Sequence, residues 1–344
     1  MKHTFIIAEA GVNHNGSPEL ALELVETAAR CGADAVKFQT FTAEKLVRRG
    51  AEKAAYQKAA TGDGDQYSML KQLEMSADLH YCLIERCNEL GIEFMSTPFD
   101  EGAVDFLLAA GMRRIKIPSG EITNWPFLRF LATKDVPLIL STGMASLDEV
   151  TDAVAVIEKV RQQFGLVRPL ADVLCILHCT SNYPALPQDV NLLAMCTIEQ
   201  ATRLPVGYSD HTLGVAVSTA AVALGAQVIE KHFTLDKTLA GPDHQASLNP
   251  QELAHLVTQI RTIEQALGNR LKAPTASELP VRKLVRRSVS LARDVQAGAK
   301  LSPEDLCLLR PGEGIPPAAL EEVVGRVVRK SLACGTTLHW ESLV

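Results

Sequence analysis

Within the first 270 residues, a short β-branched or apolar run is followed eight times by a longer stretch with helical spacing, and this alternation leaves few folds open. The strand-like runs fall at 4–11, 34–40, 93–99, 114–120, 137–143, 173–179, 205–211 and 228–234. The stretches that read as helices fall at 17–31, 75–90, 100–110, 125–133, 146–164, 190–201, 214–224 and 250–267. The first helix shows the pattern well. Ser17 is placed to cap it, Pro18 suits its first position and Gly32 ends it. Eight strand–helix units in this length predict a (β/α)8 barrel of the TIM type. The competing architecture is a doubly wound open sheet. Its dinucleotide fingerprint is missing from the first strand–helix turn, which reads AGVNHNGS. Residues 42–74 form the longest insertion, between the second strand and its helix, and a segment of that length often works as a lid.

Barrel enzymes of this type carry their chemistry at the C-terminal ends of the strands. Polar residues recur there: Glu9, Lys37 and Gln39, then Lys116, Ser119 and Glu121, Ser141, the run HCTSNYP with Tyr183, then Ser209, Asp210 and His211, and finally Glu230 and His232. A purely structural barrel has no reason to bury so many costly groups at one end. Side chains two apart in a strand share a face. Lys37 with Gln39, Ser209 with His211, and Glu230 with His232 can therefore all point into one pocket. Two imidazoles at adjacent strand ends, His211 and His232, suit a first-row divalent metal with positions left open for Lewis-acid work. Lys37 and Lys116, with the hydroxyls of Ser119, Ser141 and Ser209, form a clamp for phosphate and carboxylate. Internal ion pairs with Glu9, Glu121 or Glu230 would account for the same lysines, and both can hold in the resting protein. His14 is expected to shape its turn, and His178 to pack behind the site.

After residue 270 the pattern changes. Residues 271–283 read as a polar, proline-containing linker, and 284–344 as a small β-rich domain with the loop RPGEGIPP. The domain organisation is thus a catalytic barrel over 1–270, a linker and a small C-terminal domain. Nucleic acid is not indicated as a partner, because the formal net charge is -6, from 34 basic and 40 acidic residues. Eight scattered cysteines without a CxxC pair read as reduced thiols in a cytoplasmic protein. The apolar run at the N-terminus ends at Glu9, too short for a signal-peptide core or a membrane span.

The ordered set IAEAGVNHNG, VKFQTF, STPFD, KIPSGEITN, ILSTGM, HCTSNYP, GYSDHT, EKHFTLD and GPDH resembles the sialic acid synthase family over essentially the whole chain. The C-terminal region, including LLRPGEGI, resembles that family's antifreeze-like (SAF) domain, a β-clip fold. The resemblance implies a transferase that joins phosphoenolpyruvate to an N-acetylated hexosamine and makes N-acetylneuraminate or N,N'-diacetyllegionaminate. It implies a divalent metal on His211 and His232, typically Mn2+, with Mg2+ or Co2+ able to stand in. It implies phosphoenolpyruvate binding by Lys37, Lys116, Ser119, Ser141, Ser181 and Ser209. Gln39, Tyr183 and Asp243 match positions on the sugar side. Glu9 and Glu121 match acidic positions near the reacting carbons, with Glu121 the preferred group to position or deprotonate water. Arg310 matches an arginine that reaches the N-acetyl group from a neighbouring subunit, which implies a domain-swapped homodimer. Some members have asparagine directly after HCT, where this chain has Ser181 and then Asn182. The Arg286–Arg287 pair stands where other members carry an aromatic residue.

Two other readings remain at this level. A metal-dependent aldolase that releases pyruvate would use the same histidines and lysines. A non-catalytic carbohydrate- or ice-binding protein would use the small domain, but that domain lacks a flat threonine-rich repeat and leaves the polar ring of the barrel unexplained. The motifs SGEITN, VGYSDHT and FTLDKT lean toward the legionaminate branch.

Overall fold

A computed structural model describes residues 3–344. The chain divides into two compact units, one ending at Gly268 and the other running from Asn269 to Val344.

The first unit contains β1 (Phe5–Gly11), β2 (Ala35–Thr40), β3 (Glu93–Pro98), β4 (Ile115–Ile117), β5 (Leu138–Ser141), β6 (Leu174–Cys179), β7 (Val206–Asp210) and β8 (Val228–His232). All pair in parallel in the order β3-β2-β1-β8-β7-β6-β5-β4, and β1 against β8 joins the first strand to the last. β3 and β4 lie in contact across the remaining seam. This is the (β/α)8 barrel the alternation predicts. The strands agree with the sequence reading to within a few residues at each end. β4 is the shortest, because a 3-10 turn over Ser119–Glu121 takes over at its end.

The helices are α1 (Pro18–Arg30), α2 (Ala43–Leu46), α3 (Ala55–Thr61), α4 (Gln66–Lys71), α5 (Ala77–Leu90), α6 (Glu101–Ala109), α7 (Trp125–Ala132), α8 (Leu147–Gln163), α9 (Pro187–Val190), α10 (Ala194–Thr202), α11 (Ala216–Ala223) and α12 (Pro250–Ala266). Their starts follow sequence rules. The side chains of Ser17, Ser76, Asp100, Ser146 and Asn249 accept hydrogen bonds from backbone N–H groups in the first turns of α1, α5, α6, α8 and α12. The insertion between β2 and α5 is not open loop; it holds α2, α3 and α4.

Period-two alternation divides each strand between two environments. Outward residues such as Ile6, Ala8, Val36, Phe38 and Ile176 pack against the helices and form the main core. Inward residues change character along the barrel axis. Ile7, Ala35, Met95, Ile139, Leu177 and Val228 plug its N-terminal half. Two residues further on, on the same face, stand Glu9, Lys37, Thr97, Ser141, Cys179 and Glu230. Gly207 leaves room for this plug: a Cβ there would overlap Val228 O and the Leu177 side chain.

The second unit holds α13 (Glu278–Val285), β9 (Ser288–Leu291), β10 (Leu306–Leu309) and α14 (Leu320–Val323). β9 and β10 pair antiparallel, and single bridges tie in the remaining extended segments. Its own core is built on Val289, Leu291, Val295, Leu301, Ile315, Val323, Val328, Leu338 and Leu343. Part of the stretch that reads as a linker is therefore helical. Pro280 falls in the first turn of α13, where its missing N–H breaks no helical hydrogen bond. Among the described residues, no helix is long and apolar enough to cross a membrane.

Candidate active site

The inward residues at the C-terminal strand ends surround a cavity of about 370 Å³. Of the residues singled out from sequence, Glu9, Lys37, Gln39, Lys116, Ser119, Ser141, Ser181, Tyr183, Ser209, His211 and His232 all line it. Glu121 does not. The 3-10 turn after β4 ends the strand parity, and the Glu121 carboxylate instead accepts a hydrogen bond from Asn124 Nδ2 at 2.6 Å. Asp243 lies at the cavity's edge, with Oδ2 3.7 Å from His232 Nδ1. Arg310 belongs to the second unit, in the exposed turn that follows β10.

The floor of the cavity is a buried charge network. Lys37 Nζ stands 2.5 Å from Glu9 Oε2 and 3.6 Å from Glu230 Oε2, and it donates to Thr97 Oγ1 at 2.8 Å. Lys116 Nζ stands 3.2 Å from Glu230 Oε1, which also accepts from Ser209 Oγ at 2.8 Å. The lysines thus have internal partners at rest. The two carboxyls behave differently. Burial works against the charge of Glu230, but Lys116 and Lys37 outweigh it and hold the group well below the usual carboxylate range. Burial dominates at Glu9 and, only partly offset by Lys37, pushes it up to about 7. Burial also raises Asp243, to about 6.

The polarity of Glu9 has a consequence for stability. Its folded pKa lies above its unfolded value of 4.5. Below that pH both states hold the proton. As pH rises from 4.5 to about 7 the unfolded chain ionises freely and the fold resists, so stability is lost through that window and levels off above it. In metal-free protein, Glu9→Gln is expected to gain stability over the parent across this window, by on the order of 3 kcal/mol at most. Thermal melts at pH 5, 6, 7 and 8 would check this; a difference that stays flat across the series would refute it.

One wall is built from hydroxyls and a thiol. Ser119 Oγ accepts from Gly143 N at 2.9 Å and lies 3.2 Å from Cys179 Sγ. Gly143 is required here: a Cβ would overlap Ser181 Oγ and crowd Ser119 Oγ at 2.9 Å and Cys179 Sγ at 3.0 Å. Ser141 Oγ is buried without a hydrogen-bond partner among the described residues, which leaves it for a ligand.

The opposite wall is aromatic. The His211 and His232 rings are 5.5 Å apart, and the Tyr183 ring lies 4.1 Å from the first and 5.5 Å from the second. His211 Nδ1 donates to Thr180 O at 2.6 Å, which leaves Nε2 as the atom with a lone pair. His232 Nδ1 is buried without a hydrogen-bond partner among the described residues. Burial lowers both imidazoles, and His211 adds to the effect at His232, so both are neutral near pH 7. Tyr56, from α3 in the insertion, packs on Tyr183 with ring centroids 5.2 Å apart. At Gly11 a Cβ would stand 3.3 Å from Glu9 Oε1 and 3.5 Å from both Asp243 Oδ2 and Gln39 Nε2, so three polar groups converge over a residue that must be small.

Glu230 also lines the cavity, as its shared face with His232 predicts, and it is an internal partner of both lysines; Thr97, Cys179 and Tyr56 line it as well, without having been assigned a role from sequence. Nothing local in the insertion points to Tyr56.

Known proteins share this architecture. The NeuB family profile matches residues 24–272, and the SAF domain profile matches 286–344. An N,N'-diacetyllegionaminic acid synthase of Legionella pneumophila is 57% identical over 340 residues, covering 98% of this chain and 94% of that protein. An enzyme of the same name from Campylobacter jejuni is 47% identical, covering 96% and 97%. The crystal structure of an N-acetylneuraminic acid (sialic acid) synthetase from Leptospira borgpetersenii, in complex with citrate, superposes with a TM-score of 0.69 at 35% identity, over 81% of this chain and 90% of that one. A charge-lined barrel mouth, a family profile spanning most of the barrel and full-length relatives together place the chain in the NeuB family, with a SAF domain at its C-terminus.

Proposed function

We propose that the protein is a nonulosonic acid synthase that condenses phosphoenolpyruvate with a 2,4-diacetamido-6-deoxy hexose of the mannosamine type, giving N,N'-diacetyllegionaminate. The observation that carries the reading is the cavity itself: two buried lysines and a serine wall face two neutral imidazoles across 370 Å³. The names of the two legionaminic acid synthases support this acceptor over N-acetylmannosamine, which would give N-acetylneuraminate.

The reaction joins the methylene carbon of phosphoenolpyruvate to the aldehyde carbon of the open-chain sugar. Water then adds at C2, and phosphate leaves by C–O cleavage. Lys37, Lys116, Ser119, Ser141, Ser181 and Ser209 hold the anionic donor. Its charges displace the lysines' resting partners, and this rearrangement frees Glu9. Already at rest beside Lys37, burial pushes Glu9 up to about 7, so its carboxyl can hold a proton near neutrality, which suits it to orient the attacking water. Glu121 shares that assignment in the family resemblance but would have to leave Asn124 to reach the cavity. Gln39, Tyr183 and Asp243 orient the sugar. Arg310 completes the acceptor site from a partner subunit in a domain-swapped homodimer.

His211 and His232 would hold a divalent cation, most simply Mn2+. Both rings are neutral, one is oriented by a carbonyl acceptor and the other keeps a buried nitrogen free, all of which suits ligation. Two protein ligands would leave positions for substrate oxygen and water. When bound, the cation would polarise the aldehyde oxygen.

The test is phosphate release with Mn2+, phosphoenolpyruvate and each sugar in turn. The 2,4-diacetamido-6-deoxy sugar is expected to exceed N-acetylmannosamine by at least about 100-fold in kcat/KM, since a site built around polar acyl groups rejects analogues lacking them. Equal turnover of both sugars would remove the acceptor assignment. Pyruvate in place of phosphate would point to an aldolase.

A further inference from the structure

A second polar cluster lies behind the two histidines, on the outward faces of β7 and β8. Asp210 precedes His211 and Lys231 precedes His232, so strand parity turns them away from the cavity, toward α11. They are register partners across the ladder. Lys231 Nζ stands 2.9 Å from Asp210 Oδ2, and neither side chain is exposed at all. Asp210 Oδ1 accepts from Thr212 N at 2.8 Å and Thr212 Oγ1 at 2.7 Å. Its Oδ2 accepts from Ser218 Oγ of α11 at 2.5 Å. Lys231 Nζ also donates to Thr212 O.

His211 is therefore bracketed. The residue before it and the residue after it are both tied to Lys231, and Lys231 is the residue before His232. An ion pair this deep is a poor source of stability, because apolar side chains of similar volume often serve as well. What it supplies is direction. Two contacts from Lys231 tie the turn after β7 to β8, and three more onto Asp210 hold that turn on itself and against α11, beside the two positions where the imidazoles leave their strands.

We propose that the buried Asp210–Lys231 pair is a positioning device that sets the spacing and orientation of the His211 and His232 imidazoles for a divalent cation. The proposal rests on the metal reading of those histidines given above, and it concerns residues that do not touch substrate or metal.

The test is a Mn2+ titration of the full-length protein, followed by the electron paramagnetic resonance of the free ion, beside a thermal melt. The double variant Asp210→Asn/Lys231→Met removes both charges and keeps the volumes. It is expected to melt within a few degrees of the parent while binding Mn2+ at least about 10-fold more weakly, the usual scale for groups that orient ligands. Thr212→Val keeps the ion pair and removes one hydroxyl donor; a weakening of a few fold is expected, and this variant decides the matter if the double variant does not fold. Unchanged Mn2+ affinity in whichever folded variant decides, with His211→Ala abolishing binding, overturns the positioning role alone. A parent protein that binds no Mn2+ overturns the metal site, and this proposal with it.

Discussion

Truncating either His211 or His232 to alanine is expected to lower turnover at least about 1000-fold while the barrel stays folded. Polarising a carbonyl through a bound cation contributes several kcal/mol to transition-state stabilisation, and each 1.36 kcal/mol is a factor of ten in rate. The effect on stability should be far smaller. Among the described residues, His211 makes a single side-chain hydrogen bond, to Thr180 O, and His232 has a buried nitrogen with no hydrogen-bond partner. Losing one such bond costs about 1 kcal/mol. Phosphate release with saturating phosphoenolpyruvate and sugar, paired with a thermal melt, separates the two effects. If either variant keeps parental turnover, that histidine has no place in the proposed metal site. If either loses its fold, its ring is a structural element of the barrel mouth.

The contrast between these rings and their neighbours explains what sequence could and could not reveal. Strand parity is a local property, so the inward series from Ile7 to Glu9, Ala35 to Lys37 and Val228 to Glu230 to His232 was legible from spacing alone. Parity lapses where a strand ends. β4 stops at Ile117, and the 3-10 turn that follows sends Ser119 to the cavity and Glu121 to Asn124. No spacing rule distinguishes those two fates. Tyr56 was illegible for a different reason. It meets Tyr183 across the fold, from an insertion whose path depends on packing rather than on pattern. Asp210 and Lys231 were visible as residues of the opposite parity, but only the ladder shows that they are partners. α13 begins inside a stretch whose proline suggested a linker, because a proline in a first turn and a proline in a loop look alike in sequence.

The charge network yields the other large effect. In Glu230→Gln the amide can still accept from Ser209, and Lys37 still has Glu9, but Lys116 loses its carboxylate partner. Leaving one member of a buried pair uncompensated costs roughly 3–5 kcal/mol. For a unit of this size that is a drop of about 10 °C in melting temperature. If Lys37 and Lys116 are the seat of the donor's anionic groups, the missing charge can be supplied from solution. Inorganic phosphate or phosphoenolpyruvate should then raise the melting temperature of the variant more than that of the parent, since in the parent the anion must first displace Glu230. Saturation at 100 times the dissociation constant returns about 2.7 kcal/mol, most of what was lost. Lys116→Met should show the reverse: a melting temperature that phosphate barely moves and a raised KM for phosphoenolpyruvate. Equal phosphate shifts in the parent and both variants would mean that the anion binds away from these lysines. The resting ion pairs would then be structure alone, and the donor's place in the cavity would have to be sought along the serine wall of Ser119, Ser141 and Ser181.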